Sequence, residues 1–386
     1  MEKFRIDEIT INLDNLRKPL NSQQRKEMSK KKLYPYYGAN NLMDYIDEYI
    51  FDEEILCVAE DGGSWGYKEK CSYIVNEKCW VNNHAHILKA KENLNLKYLM
   101  YYLNYNDLSN RITGTTRGKL TKSALNSIEV KLPSIEKQKK IVALLEKAQE
   151  LIDKRKKQIE ELDLLVKSKF IEMFGDPSKN EKGWEISKIG KYLNVLTDYH
   201  SNGSYETLRD NVTLLDTPSY ALMVRTTDLE KNNFEYDVKY IDEHAYNHLE
   251  KSKVFGGEII INKIGSAGKV YLMPFLNRPV SLAMNQFLLR FDENKVNHIF
   301  LYNLLSTSYM EIKINEKVRG AVTKTITKDA IKEINIIIPP IELQNQFADF
   351  VNQVDKLKFE MEKSLKELED NFNSLMQKAF KGELFK

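Results

Sequence analysis

The sequence predicts an α+β protein: two globular segments and two long helices that pair as a coiled coil, with an internal repeat. Three observations carry this. The 386 residues exceed the ~150 of a typical domain, so two domains and a sizeable core are expected. The second half of the chain restates the first. Finally, Ser134 to Phe174 and Ile341 to Phe380 contain neither Gly nor Pro and carry an apolar stripe at helical spacing.

The repeat governs how everything else is read. Pro133-Ser-Ile-Glu-Lys-Gln138 is answered by Pro339-Pro-Ile-Glu-Leu-Gln344 at an offset of 206, ungapped until Phe174 meets Phe380. Upstream the offset is 202: Arg117-Gly118 answers to Arg319-Gly320, Asn83-His84 to Asn285-Gln286, and Gly63-Ser64 to Gly265-Ser266. The change implies a four-residue insertion just after Gly320.

The first stripe runs through Ile141, Leu144, Ala148, Leu151, Ile159, Leu162, Val166, Phe170 and Met173. The second runs through Phe347, Phe350, Val354, Leu357, Leu365, Leu368, Phe372, Met376 and Ala379. The step lies between a heptad seam and a straight helix. Forty residues at ~1.5 Å each make a rod of roughly 60 Å, too long for one domain to cover, so the stripes are expected to pack on each other. Periodicity leaves parallel and antiparallel pairing open. Arg155 faces Met361 in the alignment, a break that would help fix register. Gly175-Asp176-Pro177 stops the first helix, and Trp184 opens a new domain. The boundaries are 1–133, a helix over 134–174, a linker over 175–183, 184–339, and a helix over 340–382.

Both globular segments mix short β-rich runs (Ile55 to Ala59, Ile259 to Asn262, Phe287 to Phe291) with helical patterns (Lys97 to Leu103, Ile299 to Leu305). Their sequences diverge while the helices keep one register, which suggests a shared frame with two specificities. Cys57, Cys71 and Cys79 fit neither a CxxC pair nor a disulfide framework and read as buried reduced thiols. No run reaches the ~20 apolar residues of a membrane span, so no membrane is expected and the location is read as cytoplasmic.

The residues that chemistry needs are missing. The one Pro-Pro, Pro339-Pro340, lacks the Asn/Asp and aromatic flanks of the loop that holds a flipped adenine. No phosphate-cradling GxxxxGK(S/T) occurs, and Gly62-Gly63-Ser64-Trp65-Gly66 and Gly265-Ser266-Ala267-Gly268 lack dinucleotide spacing. His84-Ala85-His86 would set two imidazoles on one strand face, but the second copy has no counterpart, so a polar contact or core histidine is preferred to a zinc site. No catalytic and no metal residues are assigned.

Binding chemistry is better supplied. The first copy offers Tyr37, Gly38, Asn40, Asn41, Ser64, Trp65, Lys68, Asn83, His84, Thr115, Thr116, Arg117 and Lys119. The second offers Arg225, Thr226, Lys263, Ser266, Lys269, Asn285, Gln286, Arg319 and Lys324. Arg suits guanine, Asn and Gln suit adenine, and Lys and glycine amides hold phosphates. Charge does not announce this role: 58 Lys+Arg face 56 Asp+Glu, so any positive surface must come from arrangement.

The order and duplication of these signals resemble the specificity (S) subunit of type I restriction-modification enzymes. The resemblance rests on the Pro-x-Ile-Glu-x-Gln helix openings, the Phe174-Gly175-Asp176-Pro177 exit, and the Tyr36-Tyr37-Gly38 and Asp61-Gly62 turns. It implies two globular target recognition domains joined by two long antiparallel coiled-coil helices, with an internal pseudo-twofold repeat. Each domain would read half of a bipartite site in double-stranded DNA, and the coiled coil would space the halves. Two methyltransferase (M) subunits would dock on it and bring S-adenosylmethionine. Restriction/translocase (R) subunits, where present, would bring ATP and Mg. This chain would then be a non-catalytic subunit without a cofactor of its own. The alternative is a coiled-coil adaptor, or an orphan DNA- or protein-binding module, without a modification role.

Overall fold

The computed structural model describes residues 2–114 and 116–385, which fall into two compact units. The first is Met1–Lys157 with Glu362–Lys386, and the second is Gln158–Met361. Each unit therefore holds one globular segment, the start of its own long helix and the end of the other. The helices are continuous over Ile135–Phe174 and Ile341–Lys381.

In the first unit, Glu2–Arg5 pairs antiparallel with Glu129–Leu132, closing the segment before the helix begins. An antiparallel sheet follows the order Thr10–Asn12, Ala85–Ala90, Ile55–Ala59, Ser72–Val75. A second sheet sets Tyr34–Gly38 antiparallel to Asn41–Ile46 and parallel to Trp80–Val81. The second unit repeats this plan. Glu185–Lys188 pairs with Asn335–Ile338, and the main sheet runs Leu193–Asp198, Gln286–Phe291, Ile259–Asn262, Val270–Leu272. Its mixed sheet again has one parallel pair, Ala221–Val224 with Val280–Leu282. The central strands Ile55–Ala59 and Ile259–Asn262 are buried throughout, as β-branched and apolar runs should be.

Helix caps repeat as well. The Asn95 side chain accepts from Tyr98 N–H and opens Leu96–Tyr105; Asn297 does the same for His298–Leu305. The Pro-x-Ile-Glu-x-Gln motif has a physical purpose. Gln138 is fully buried; its Oε1 accepts from Asn95 N–H (2.9 Å), and its amide donates to the Pro133 (2.8 Å) and Asn93 (2.9 Å) carbonyls. Gln344 repeats this with Asn297 N–H (2.9 Å), Pro339 O (2.7 Å) and Lys295 O (3.3 Å). Each glutamine ties the first turn of a long helix to the cap of its own segment.

Within each unit the helix halves run antiparallel. In the first, Lys156 pairs with Glu369 (2.8 Å), and Ile141, Val142 and Leu145 share a core with Met376, Ala379 and Phe380. In the second, Lys358 pairs with Asp163 (2.6 Å), and the rings of Phe170 and Phe174 meet Phe347 edge-on. Glycines in the left-handed region end both helices, Gly175 at φ 78° and Gly382 at φ 78°.

Two expectations are corrected. Of the predicted stripe, Ile141, Leu162, Phe170, Phe347, Val354, Met376 and Ala379 are buried, while Leu144, Ile159, Phe350, Leu365 and Leu368 are half-buried. Leu151 and Leu357 are 45% and 47% exposed, and Leu145, Ile152 and Val351 fill the core instead. Leu144-Leu145 and Leu151-Ile152 are adjacent apolar pairs, so either register keeps the period, and packing against the globular segment decides. The insertion is also relocated. Thr113 exchanges two backbone hydrogen bonds with Lys119 (2.9 and 2.8 Å), as Arg319 does with Thr325 (2.8 and 2.8 Å). Gly114 (φ 97°) and Gly320 (φ 102°) take the same place in the two hairpins. The offset is thus already 206 at Thr113. Arg319 answers to Thr113 and Arg117 to Thr323. The four extra residues belong to the preceding connection, where the helix Ser308–Asn315 replaces the short turn Ser109–Arg111.

Cys57, Cys71 and Cys79 are buried and unpaired; burial pushes the Cys71 and Cys79 thiols up to about 12. Among the described residues, no helix is long and apolar enough to cross a membrane.

Candidate nucleic-acid interface

In each unit the central strand ends in a glycine turn, and the hairpin closed by Thr113 and Lys119, or by Arg319 and Thr325, pairs against that turn. Asp61 bridges Lys119 in the first unit, and Ile264 bridges Thr325 in the second. The hairpins need their glycines: a Cβ on Gly114 would stand 2.4 Å from the Arg117 carbonyl oxygen, and one on Gly320 2.1 Å from that of Thr323. The backbone frame is thus the same, and its exposed contents differ. The first hairpin presents Thr116 and Arg117, and the second presents Thr323, Lys324 and Val322, which is 97% exposed.

In the first unit Asn40, Asn41, His84 and Arg117 line one cleft of about 240 Å³ together with Asp61, Gly62 and Met43. Asp61 organises it, accepting from Arg117 (2.6 Å) and pairing with His84 Nδ1 (2.9 Å). Asn40 donates to the Gly62 carbonyl (3.0 Å). Ser64, Lys68 and Asn83 are exposed on neighbouring loops. Thr115 lies outside the described residues. Lys119 is exposed but pairs with Glu60 (3.0 Å).

In the second unit Ser266, Lys269 and Lys324 line a cleft of about 620 Å³ with Glu230, Tyr302 and Asn315. Arg319 and Lys324 are exposed and form no ion pair among the described residues, whereas Lys263 is drawn inward to Asp198 (2.9 Å). Asn285 is exposed at φ 72°. Arg225 folds back on Asp228 (2.7 Å) and the Asp237 carbonyl, half-burying itself beside Thr226.

Four expected readers are structural. Trp65 is buried and its indole N–H donates to the Ala59 carbonyl (3.2 Å). Tyr37 is buried with its hydroxyl on Glu77 (2.8 Å), and Gly38 is buried in the same strand. Gln286 is fully buried, its amide spanning the Val224 carbonyl (3.1 Å) and Thr226 N–H (3.2 Å). None of these can reach a base. Aromatic and amide types look alike to a reader of sequence whether they face solvent or fill a core.

Beneath each hairpin lies an ion network that sequence reading missed. In the first unit His86 Nδ1 is 2.6 Å from Asp14, Arg17 is 2.5 Å from Glu60, and Glu60 also holds Lys119. Burial alone would raise Asp14 and Glu60, but hydrogen bonds from His86 and Ile87 N–H hold Asp14 below its ordinary range. Arg17 and Lys119 do the same for Glu60. In the second unit Asp198 accepts from Lys263 (2.9 Å), Lys328 (3.0 Å) and Ser201 (2.6 Å). Burial would raise this carboxyl too; the three donors bring it down to about 2. Asp14, Glu60 and His86 offer ligand atoms within 4.8 Å of one another, but the Arg17 guanidinium among them supplies the countercharge a cation would need to displace.

The family described as type I restriction modification DNA specificity domain matches residues 1–163 and again 181–370, one match for each copy of the repeat. A putative type I restriction enzyme specificity subunit of Haemophilus influenzae is 26% identical over 91% of this chain and 87% of its own length. The MjaIX specificity subunit of Methanocaldococcus jannaschii is 26% identical over 76% and 70%. The crystal structure of the type I restriction-modification S subunit from M. genitalium shares the fold at a TM-score of 0.59 and 16% identity, covering 98% of this chain and 96% of that one. The repeated fold, the paired hairpins and these matches agree: the chain belongs to the type I restriction-modification DNA specificity family.

Proposed function

We propose that this chain reads a bipartite double-stranded DNA target, one half-site per unit, as the non-catalytic recognition subunit of an assembly whose chemistry resides on partners. The supporting observation is the pair of hairpins: one backbone frame at 113–119 and 319–325, filled with different exposed side chains. Selection for a fold alone gives no reason to keep the frame and change its tips. Recognition of two different sequences does.

Methyltransferase subunits docked on the two-helix segment supply S-adenosylmethionine chemistry in this reading, and restriction subunits, where they join, supply ATP-driven steps. Counterion release is then shared across the assembly, consistent with the balanced charge of this chain. Mapping DNA methylation in cells with and without the chain tests the proposal. Loss of one modified bipartite motif is expected; an unchanged methylome would leave the adaptor alternative. Four residues inserted after both Lys156 and Glu362 should change the spacer between half-sites and leave both half-sites intact.

A further inference from the structure

The buried charge network of the first unit has no counterpart of like polarity in the second. His86 is 1% exposed, and both ring nitrogens face acceptors: Nδ1 the Asp14 carboxylate at 2.6 Å, Nε2 the Leu120 carbonyl at 2.8 Å. A ring with one proton satisfies only one of them, whereas the doubly protonated ring donates to both. Asp14, Glu60 and Arg17 have side chains 7%, 12% and 14% exposed, and Lys119 closes the network on Glu60 from the surface (3.0 Å).

The network is rooted in the sheet and reaches the hairpin. Asp14 also accepts from Ile87 N–H (2.8 Å), and Arg17 donates to the Ala85 carbonyl (2.8 Å). Leu120, which receives His86, directly follows the hairpin, and its N–H donates to the Glu60 carbonyl (2.8 Å). In the second unit Ile326 N–H makes the same bond to Lys263 (3.1 Å), but the strand position opposite the central strand, where the first unit has His86 facing Val58, is Phe287 facing Ile261.

We propose that His86 is the positioning residue of the first hairpin: its doubly protonated ring ties Leu120 to Asp14 and so sets Thr116 and Arg117 for reading the first half-site. The proposal rests on the DNA-reading role above. The charged groups facing the ring are Asp14 and Arg17 from one turn, Glu60 from the strand end and, across Glu60, Lys119. Loss of either ring contact leaves one buried acceptor without its donor and loosens the hairpin. The second unit holds its hairpin with lysines and Asp198 and lacks this tie.

The test uses the full chain assembled with its methyltransferase partner. Equilibrium binding is measured to the mapped target duplex and to duplexes altered in one half-site. His86→Leu, which removes both ring contacts, should lower first-half discrimination by at least roughly tenfold, the factor for about one buried hydrogen bond, and leave second-half discrimination unchanged. His86→Gln, which can still donate to the Leu120 carbonyl, should lower first-half discrimination by less and also spare the second half. Undiminished first-half discrimination in His86→Gln, or an equal loss at both half-sites, overturns the proposal, even if His86→Leu fails to fold. Absence of discrimination at both half-sites overturns the DNA-reading role itself, and this proposal with it.

Discussion

The two units are built on one backbone plan and secured by opposite electrostatics. In the first, a carboxylate at the end of the central strand, Glu60, gathers Arg17 and Lys119; in the second the cation Lys263 stands there and joins Lys328 on Asp198. Elements that set the frame are the same in both: the buried glutamines, the asparagine caps and the hairpin glycines. Frame and charge network are therefore separable. The frame depends on backbone partners that each copy must satisfy, while any neutral set of buried charges can brace it.

That separation can be broken by experiment. Gln138→Leu and Gln344→Leu should each cost about 3 kcal/mol, because a buried N–H and two carbonyls lose partners. Hydrogen exchange of each unit in rising urea measures this, and unequal costs would deny that the glutamines are equivalent. Gly114→Ala and Gly320→Ala should each cost about 2 kcal/mol, since the new methyl meets a backbone oxygen at a positive φ. A difference above about 1 kcal/mol between them would refute the shared hairpin frame.

Asp198→Asn should cost roughly 2 kcal/mol at neutral pH, from the drop of the folded carboxyl from 3.8 to about 2. A depressed carboxyl stabilises above its unfolded value, so this contribution is lost as pH falls from about 4 towards 2. The variant should lose that acid limb in thermal unfolding of the second unit and leave the first unit unaffected. Smallest of all, Leu151→Gln and Leu357→Gln should each change stability by less than about 0.5 kcal/mol, which ordinary chemical denaturation resolves. A large loss at either would restore the register expected from periodicity.

Much of the fold was legible because repetition removes ambiguity. Strands Ile55–Ala59 and Ile259–Asn262, the helices and the Gly175 stop all follow from local pattern. The seam register was not, since Leu144-Leu145 and Leu151-Ile152 fit the same period from either residue. The interface was half legible. Asn40, His84 and Arg117 do converge on one cleft, and Ser266 and Lys324 on another. Trp65, Tyr37 and Gln286 went inward because their polar atoms found partners that only the folded chain supplies. Ion networks such as Asp14–His86 join residues 72 apart in the chain, a separation at which no local pattern speaks.

The composition of the first unit also bears on how the chain is made. Its core includes Met376, Ala379 and Phe380, with Phe380 against Tyr98 and Tyr102. A ribosome adding about 5–20 residues per second delivers those side chains some 10–40 s after residue 157. Until then Tyr98, Leu145 and their neighbours wait with one wall of their core missing. The N-terminal part of this protein is thus completed last, and a message broken off before residue 362 yields a unit that stays open and exposed to proteases.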